Sequence, residues 1–573
     1  MQKVNSRWVV IAAWFFLVVA LLPVREVMRP DEARFIQQAQ EMRDSRQWFM
    51  PTIGEVPNSD KPPVLFWLIN LAAAWQPRIS EATARLPSAL SSLVVLLLVM
   101  RLGNRLWGRK EVGLAGALVL LTINGFFHRA QWVSCDMPLT AFSWLAITFW
   151  REGLFETQER PGQAGRLDRL SPRAKIALGW LAASLGVMTK GLGLFWAVFW
   201  ILGEAWARRS WRPLRRLAQP LGFALFLLPL ALWLWRFAAA AGGEKVYDIV
   251  VRQTGQRYVD AWNVVKPWYF YVYQLPADLL PWSVFLPLAA AYLWRLRGRR
   301  GRGDPDAIGG LACLGFAALA LIFFSMSTGK RDVYLLPAYP ALALLIARAA
   351  VDLGVRWDCG RRARMGAYLA FALTGLIPAV VLPLAVAWGG IPGLQEAVFR
   401  VGRPVVAALA LGGVAIALGA LAAWRVVARR GRGLRALSQA FMGIAAFLLL
   451  FGLFGGQAAN RHQGGAAFGA EVERVVPPDG RMAVERGKFE LFLYYSARKG
   501  TEWEDPEKLE TELATGRCHY ALMRLETLQR LEGATFLSRL TPLLRGEVGG
   551  SEYVLLGPEP PPETDPGGPG SPS

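Results

Sequence analysis

Histidine is nearly missing from this chain. His128, His462 and His519 are the three in 573 residues, and they show no metal-ligand spacing. Cysteine is almost as scarce. Cys135, Cys313, Cys359 and Cys518 are scattered, and only Cys518 falls in the hydrophilic tail, so no disulfide framework is available there. Acids are outnumbered: 43 Asp and Glu stand against 64 Lys and Arg, a formal charge of +21. That excess is not gathered into a nucleic-acid patch. The basic clusters, at 101–110, 151–175, 208–216, 295–302, 348–364 and 425–435, fall in alternate loops between apolar runs, which is the positive-inside pattern. No small-residue cleavage site follows the first apolar run, only Leu-Leu-Pro-Val-Arg-Glu at 21–26, so the run reads as a helix rather than a leader. No internal repeat relates the two halves.

What the chain has in plenty is apolar sequence. It is 54% hydrophobic with 24 tryptophans, too apolar for a soluble globule. The pattern predicts a polytopic α-helical membrane protein with about thirteen spans, near 8–25, 84–101, 111–127, 136–150, 174–189, 192–207, 219–239, 273–294, 308–326, 333–351, 365–388, 403–424 and 438–456. The run 64–75 is short for a span and reads as a re-entrant or interfacial helix; counting it as a crossing would put the arginine clusters outside. The expected organisation is a membrane domain over 1–456, with an outer first loop at 26–83. A small α/β domain follows over 457–557, then a disordered Pro/Gly/Ser-rich tail over 558–573. Within the α/β domain, strands are expected at 481–485, 518–523 and 551–556, and a helix at 507–515. With the N-terminus inside, thirteen crossings place the α/β domain outside.

Under that topology the unusual ionisable residues share one face. Asp31, Asp60, Lys61, Asp136, Lys190, Arg257 and Lys330 all lie in or beside outer loops. Asp31 and Glu32 suit a helix start, as N-cap and first-turn acid. They equally suit a carboxylate held at the membrane face to take the proton of an attacking hydroxyl. Asp136 opens a helix with Pro138 in its first turn, so capping and site chemistry weigh about evenly; beside a base at Asp31 it would orient an acceptor or bind a metal. Lys61 precedes two prolines and is either a snorkelling lysine or a clamp for a lipid phosphate. Lys190 sits in a two-residue turn between apolar helices, a costly place unless it faces an anion or a polar cavity. The loop 240–272 adds Arg252, Arg257 and an aromatic run at 268–271, either interfacial anchors or a flap over a head group. Gly329-Lys330 is not a nucleotide-binding loop, because the glycine spacing is absent.

Four stretches occur in an order that resembles the GT-C membrane glycosyltransferases, of the protein O-mannosyltransferase and aminoarabinose (lipid A) transferase type (glycosyltransferase families 39 and 83). They are Pro30-Asp31-Glu32-Ala33-Arg34 with Asp60-Lys61-Pro62-Pro63 and Arg85-Leu86-Pro87-Ser88; Asp136-Met137-Pro138-Leu139; Thr189-Lys190-Gly191; and 330–337, Lys-Arg-Asp-Val-Tyr-Leu-Leu-Pro. The resemblance implies inverting transfer of a sugar from a polyprenyl-phosphate carrier to a lipid, glycan or protein hydroxyl. It implies catalytic roles for Asp31, with Glu32 beside it, and for Asp136. It also implies a phosphate-binding set of Lys61, Lys190, Arg257 and Tyr334, to which Lys330 and Arg34 are added. The family often has Glu where this chain has Asp60, the candidate metal ligand, and its metal-binding histidine before Arg257 has no counterpart, so a divalent cofactor is left open. The expected partners are the lipid-linked donor, the acceptor and membrane lipids, with no nucleic acid, for a protein acting as a monomer. The rival readings are a transporter or flippase for the same anionic lipid, which would favour internal repeats and midplane charges, and a scaffold that leaves the outer acids and bases unexplained.

Overall fold

The computed structural model describes residues 5–27, 30–58, 60–156, 166–256, 264–300, 302–351, 358–381, 383–384, 403–429 and 433–558. They divide into two compact units. The first takes in Met1–Arg25, Gln38–Thr52 and Pro57–Ala458, the second Glu26–Gln37, Ile53–Val56 and Ala459–Ser573.

The first unit is helical. It begins with α1 (Ser6–Leu17) and continues with α2 (Pro30–Asp44), a helix shared between the units, and α3 (Val64–Ala72). Then come α4 (Glu81–Trp107), α5 (Lys110–Leu121), α6 (Asn124–Ala130), α7 (Asp136–Phe155), α8 (Pro172–Val187), α9 (Gly193–Arg208) and α10 (Pro220–Ala241). Between α2 and α3, β1 (Thr52–Ile53) pairs with β2 (Val56–Pro57). Local signals set several boundaries. Ser80 and Ser171 cap α4 and α8 through their side chains, Pro172 occupies the first turn of α8, and Gly108 ends α4 in the left-handed region at φ 67°. The core between these helices is rich in indole: Trp144 and Trp150 on α7 and Trp196 and Trp200 on α9 are all fully buried. The Trp144 Nε1–H donates to the Pro337 carbonyl at 2.9 Å, so the buried ring keeps its hydrogen bond. One close approach depends on glycine. A Cβ at Gly193 would lie 2.3 Å from the Gly186 backbone, so α8 and α9 meet tightly where the chain turns between them.

Among the described residues, six helices are long and apolar enough to cross a membrane, or eight if each of two bent pairs is one span. The bent pairs are α5 with α6, at 71°, and Phe270–Asp278 with Trp282–Arg299, at 107°. The other predicted spans fall on α1, α7, α8, α9 and Asp358–Leu376. Of these, α8 and α9 have 16 residues each, fewer than the ~20 that a bilayer asks for. The α7 helix has the length, but it carries Asp136, Arg151 and Glu152. The run 64–75, read as a short interfacial or re-entrant helix, forms the nine-residue α3.

The second unit holds a five-stranded sheet in the order β4-β3-β5-β7-β6: β3 (Arg481–Glu485), β4 (Lys499–Trp503), β5 (Tyr520–Arg524), β6 (Thr541–Val548) and β7 (Ser551–Gly557). The parallel neighbours of β3 are reached through helical crossovers, Phe489–Ser496 into β4 and Pro506–Ala514 into β5. An antiparallel hairpin then adds β6 and β7, turning at Gly549 and Gly550, both at positive φ. The sequence pattern shows β3, β5, β7 and the 506–514 helix but not β4 or β6. Those two are the sheet edges, half exposed and polar, so neither makes an apolar run. The unit also includes two pieces of the stretch that the sequence assigned wholly to the membrane domain. Val27 N–H donates to the Tyr495 hydroxyl at 2.8 Å, and Glu26 N–H to Asn460 Oδ1 at 2.9 Å. Glu55 pairs with Lys499 at 2.7 Å and with Arg481 at 3.0 Å. The 559–573 part of the predicted disordered tail lies outside the described residues.

Candidate active site

The first unit contains a half-open cleft enclosing about 960 Å³, counting the space open to solvent. Four stretches far apart in sequence build it. Asp60, Lys61 and Pro62 come from the entry to α3, and Asp136 and Leu139 from the first turn of α7. Lys190, Gly191, Leu192 and Trp196 come from the α8–α9 turn and the start of α9. Phe324, Ser327, Gly329, Arg331 and Tyr334 come from the end of Pro305–Met326 and the turn after it, and Ile249 from a π-helical turn completes the wall.

The electrostatic centre is the Lys190–Asp136 pair. The Lys190 ammonium donates to Asp136 Oδ1 at 2.5 Å and lies 4.8 Å from the centre of the Tyr334 ring. Asp136 is therefore not an N-cap. It is the first helical residue, its N–H bonded to Ser134 Oγ at 3.3 Å and its carboxylate turned to lysine. Lys61 and Arg129 also lie within electrostatic reach of Asp136. Arg129 in turn pairs with Asp332 at 2.6 Å and stacks on Trp132 at 4.6 Å. Lys61 donates to the Asp60 carbonyl at 2.9 Å. The lining thus sets three cations, Lys61, Lys190 and Arg331, against two carboxylates. The lining also carries aromatic rings, with Trp196 stacked on Phe324 at 5.1 Å and Phe324 against Tyr334 at 5.9 Å. Such a cleft suits an anion carried on a hydrocarbon chain.

The remaining sequence candidates fall elsewhere. Arg257 lies outside the described residues. Lys330 is buried and does not line the cleft; its ammonium meets the backbone carbonyls of Lys266, at 3.1 Å, and of Ser327. Asp31, Glu32 and Arg34 belong to the second unit. There Asp31 is a first-turn residue of α2 rather than its cap, paired with Arg34 at 2.6 Å, while Glu32 is buried. In the same unit burial raises the Glu490 carboxyl above the usual range, Asp31 adds to the rise and Arg34 opposes it. Among the described residues no three His, Cys, Asp or Glu converge, so no metal ligands are assigned there. Arg331 is the lining cation that sequence reasoning passed over. Its neighbour Lys330 drew attention for its place after Gly329, and nothing local says which of two adjacent cations turns inward.

The family model for dolichyl-phosphate-mannose-protein mannosyltransferases matches residues 8–241. An undecaprenyl phosphate-alpha-4-amino-4-deoxy-L-arabinose arabinosyl transferase of Enterobacter sp. (strain 638) is 30% identical over 344 residues, 59% of this chain and 58% of that protein. Its counterpart in Erwinia tasmaniensis is 27% identical over 397 residues, 67% of this chain and 66% of that one. The match therefore spans under two thirds of these relatives. The crystal structure of ArnT from Cupriavidus metallidurans bound to undecaprenyl phosphate superposes with a TM-score of 0.78 at 19% identity over 96% of both chains. The archaeal oligosaccharyltransferase AglB from Archaeoglobus fulgidus gives 0.50 at 12% identity, covering 92% of this chain and 70% of that one. The resemblance read from the ordered motifs is borne out: the chain has the GT-C fold and is similar in sequence to membrane glycosyltransferases. The Enterobacter and Erwinia relatives are both aminoarabinose transferases.

Proposed function

We propose that the protein is an inverting glycosyltransferase. It takes a sugar from a polyprenyl-phosphate carrier and places it on a hydroxyl of lipid A or another outer-face lipid, glycan or protein. The observation that carries this reading is the cleft itself, whose lining combines Lys61, Lys190 and Arg331 with aromatic and aliphatic side chains. In a single displacement the acceptor oxygen bonds to the anomeric carbon as the bond from that carbon to the phosphate oxygen breaks. The bonding pair leaves on the carrier phosphate, and the cleft cations offset that charge as it grows. Asp136 holds Lys190 in place for this work. The acceptor hydroxyl must shed its proton, and Asp31, with Glu32 beside it, is the proposed recipient on the strength of its motif.

The reading includes thirteen crossings of a bacterial inner membrane, a cytoplasmic N-terminus and a periplasmic α/β domain; alkaline-phosphatase fusions after residues 135, 332 and 458 would then all be active. Purified protein incubated with a radiolabelled undecaprenyl-phosphate aminopentose and lipid A should release free carrier phosphate and label the lipid. Movement of intact donor across vesicles without that release would favour the transporter. Asp31→Asn should fold normally and lose transfer by a factor of at least ~100; near-normal turnover would reject Asp31 as the base.

A further inference from the structure

The cleft owes Ser327, Gly329 and Arg331 to a short irregular loop, and that loop is tied to the segment before the helix Phe270–Asp278. Val265 and Gly329 form an isolated antiparallel bridge. Lys266 N–H donates to the Thr328 carbonyl at 3.4 Å, and Lys330 N–H to the Val264 carbonyl at 3.1 Å. The Tyr271 hydroxyl donates to the Arg331 carbonyl at 3.1 Å. A single bridge of this kind is marginal on its own. Val264 moreover stands at φ 57°, a left-handed conformation that a β-branched residue holds only when its surroundings impose it.

Lys330 supplies the missing tie. The residue is 3% exposed, and its ammonium donates to Ser327 O on the loop and, at 3.1 Å, to Lys266 O on the facing segment. Charge-assisted bonds to two carbonyls on different strands join them more firmly than the bridge does. The far side of the segment carries Trp268, Tyr269, Val272 and Tyr273, all at least half exposed, the composition of a membrane-interface belt.

We propose that Lys330 is a positioning residue. It staples the cleft loop 327–331 to the aromatic segment 264–273 and so holds Gly329 and Arg331 where the anionic head of the donor binds. The proposal deepens the glycosyltransferase reading and rests on it for its kinetic arm. Lys330→Met should raise the KM for the polyprenyl-phosphate sugar about tenfold with kcat within about twofold. It should also speed amide hydrogen exchange in 264–271 and 327–332. A disulfide between Lys266→Cys and Thr328→Cys joins the same strands outside the cleft, and in the Lys330→Met background it should restore KM. Tyr271→Phe removes a neighbouring tie and should raise KM about threefold, which keeps the test alive if Lys330→Met does not fold. A disulfide that forms and leaves KM high would mean that Lys330 acts on the ligand itself, and the proposal would fall. Unchanged exchange in Lys330→Met, or unchanged KM in Tyr271→Phe, would also overturn it. If the wild-type protein transfers no sugar at all, the glycosyltransferase reading falls alone, and exchange still decides the staple.

Discussion

Lys190 and Asp136 were each suspect in the sequence for separate reasons, a lysine in a tight turn and an acid at a helix start. Only the structure makes them one group, 54 residues apart in the chain and 2.5 Å apart in space. Neither can be removed without stranding the other. Asp136→Asn should cost about 3–5 kcal/mol of stability, as expected for breaking a largely buried pair. It should also lower kcat/KM at least ~100-fold, measured by donor turnover alongside thermal unfolding in detergent. Lys190→Arg should not rescue function, because a planar guanidinium cannot reproduce a compact ammonium seated between a carboxylate and the Tyr334 ring. A second residue-scale effect concerns pH. Burial holds the Glu490 carboxyl above its ordinary range, so the folded domain binds that proton more tightly than the unfolded chain. Stability is then greatest below the unfolded carboxylate range, about pH 4.3, and declines as pH rises through the folded value. Glu490→Gln should raise the melting temperature at neutral pH and leave it unchanged below about pH 4; equal melting curves at pH 7 would count against this.

At the scale of elements, α7 is the member around which the first unit is arranged. Its N-terminal residue Asp136 is in the cleft. About 30 Å along its axis, its other end sits in a buried ionic network. There Arg151 pairs with Glu156 at 2.5 Å and Glu204 at 3.1 Å, and Glu152 takes Arg101 at 2.6 Å and Lys175 at 3.4 Å. In the sequence, Arg101, Arg151 and Lys175 read as loop charges that set topology. Three of the network's members, Arg151, Glu152 and Glu204, are instead fully inside the unit. Arg151→Met would take one cation from each of Glu156, which keeps Arg105, and Glu204, which keeps Arg208, and would bury an incomplete network. It should lower stability by about 3–5 kcal/mol while kcat/KM of the folded fraction stays within about twofold, since the cleft lies at the opposite end. A similar loss of both would indicate that the two ends are coupled.

For the whole molecule, the notable feature is that the second unit is assembled from three parts of the chain, 26–37, 53–56 and 459 onward. Deleting 459–573 should therefore do more than remove a tail. It strips the partners of Glu26, Val27 and Glu55, and the first loop should become sensitive to limited proteolysis even where the helices remain folded; an unchanged cleavage pattern would contradict this. The amino-acid sequence by itself determined the membrane class, the short α3, the strands β3, β5 and β7, and most of the charged residues that line the cleft, including Lys61, Asp136 and Lys190. These are local properties: apolar length, charge placed where water is scarce, and the alternation of a buried strand. Tertiary structure alone decided that Asp136 serves Lys190 rather than its own helix, that Arg331 rather than Lys330 lines the cleft, and that 26–37 and 53–56 of the first loop belong with the C-terminal unit. Each of those depends on which distant backbone lies across from a side chain, a matter of packing between segments that no single stretch of sequence contains.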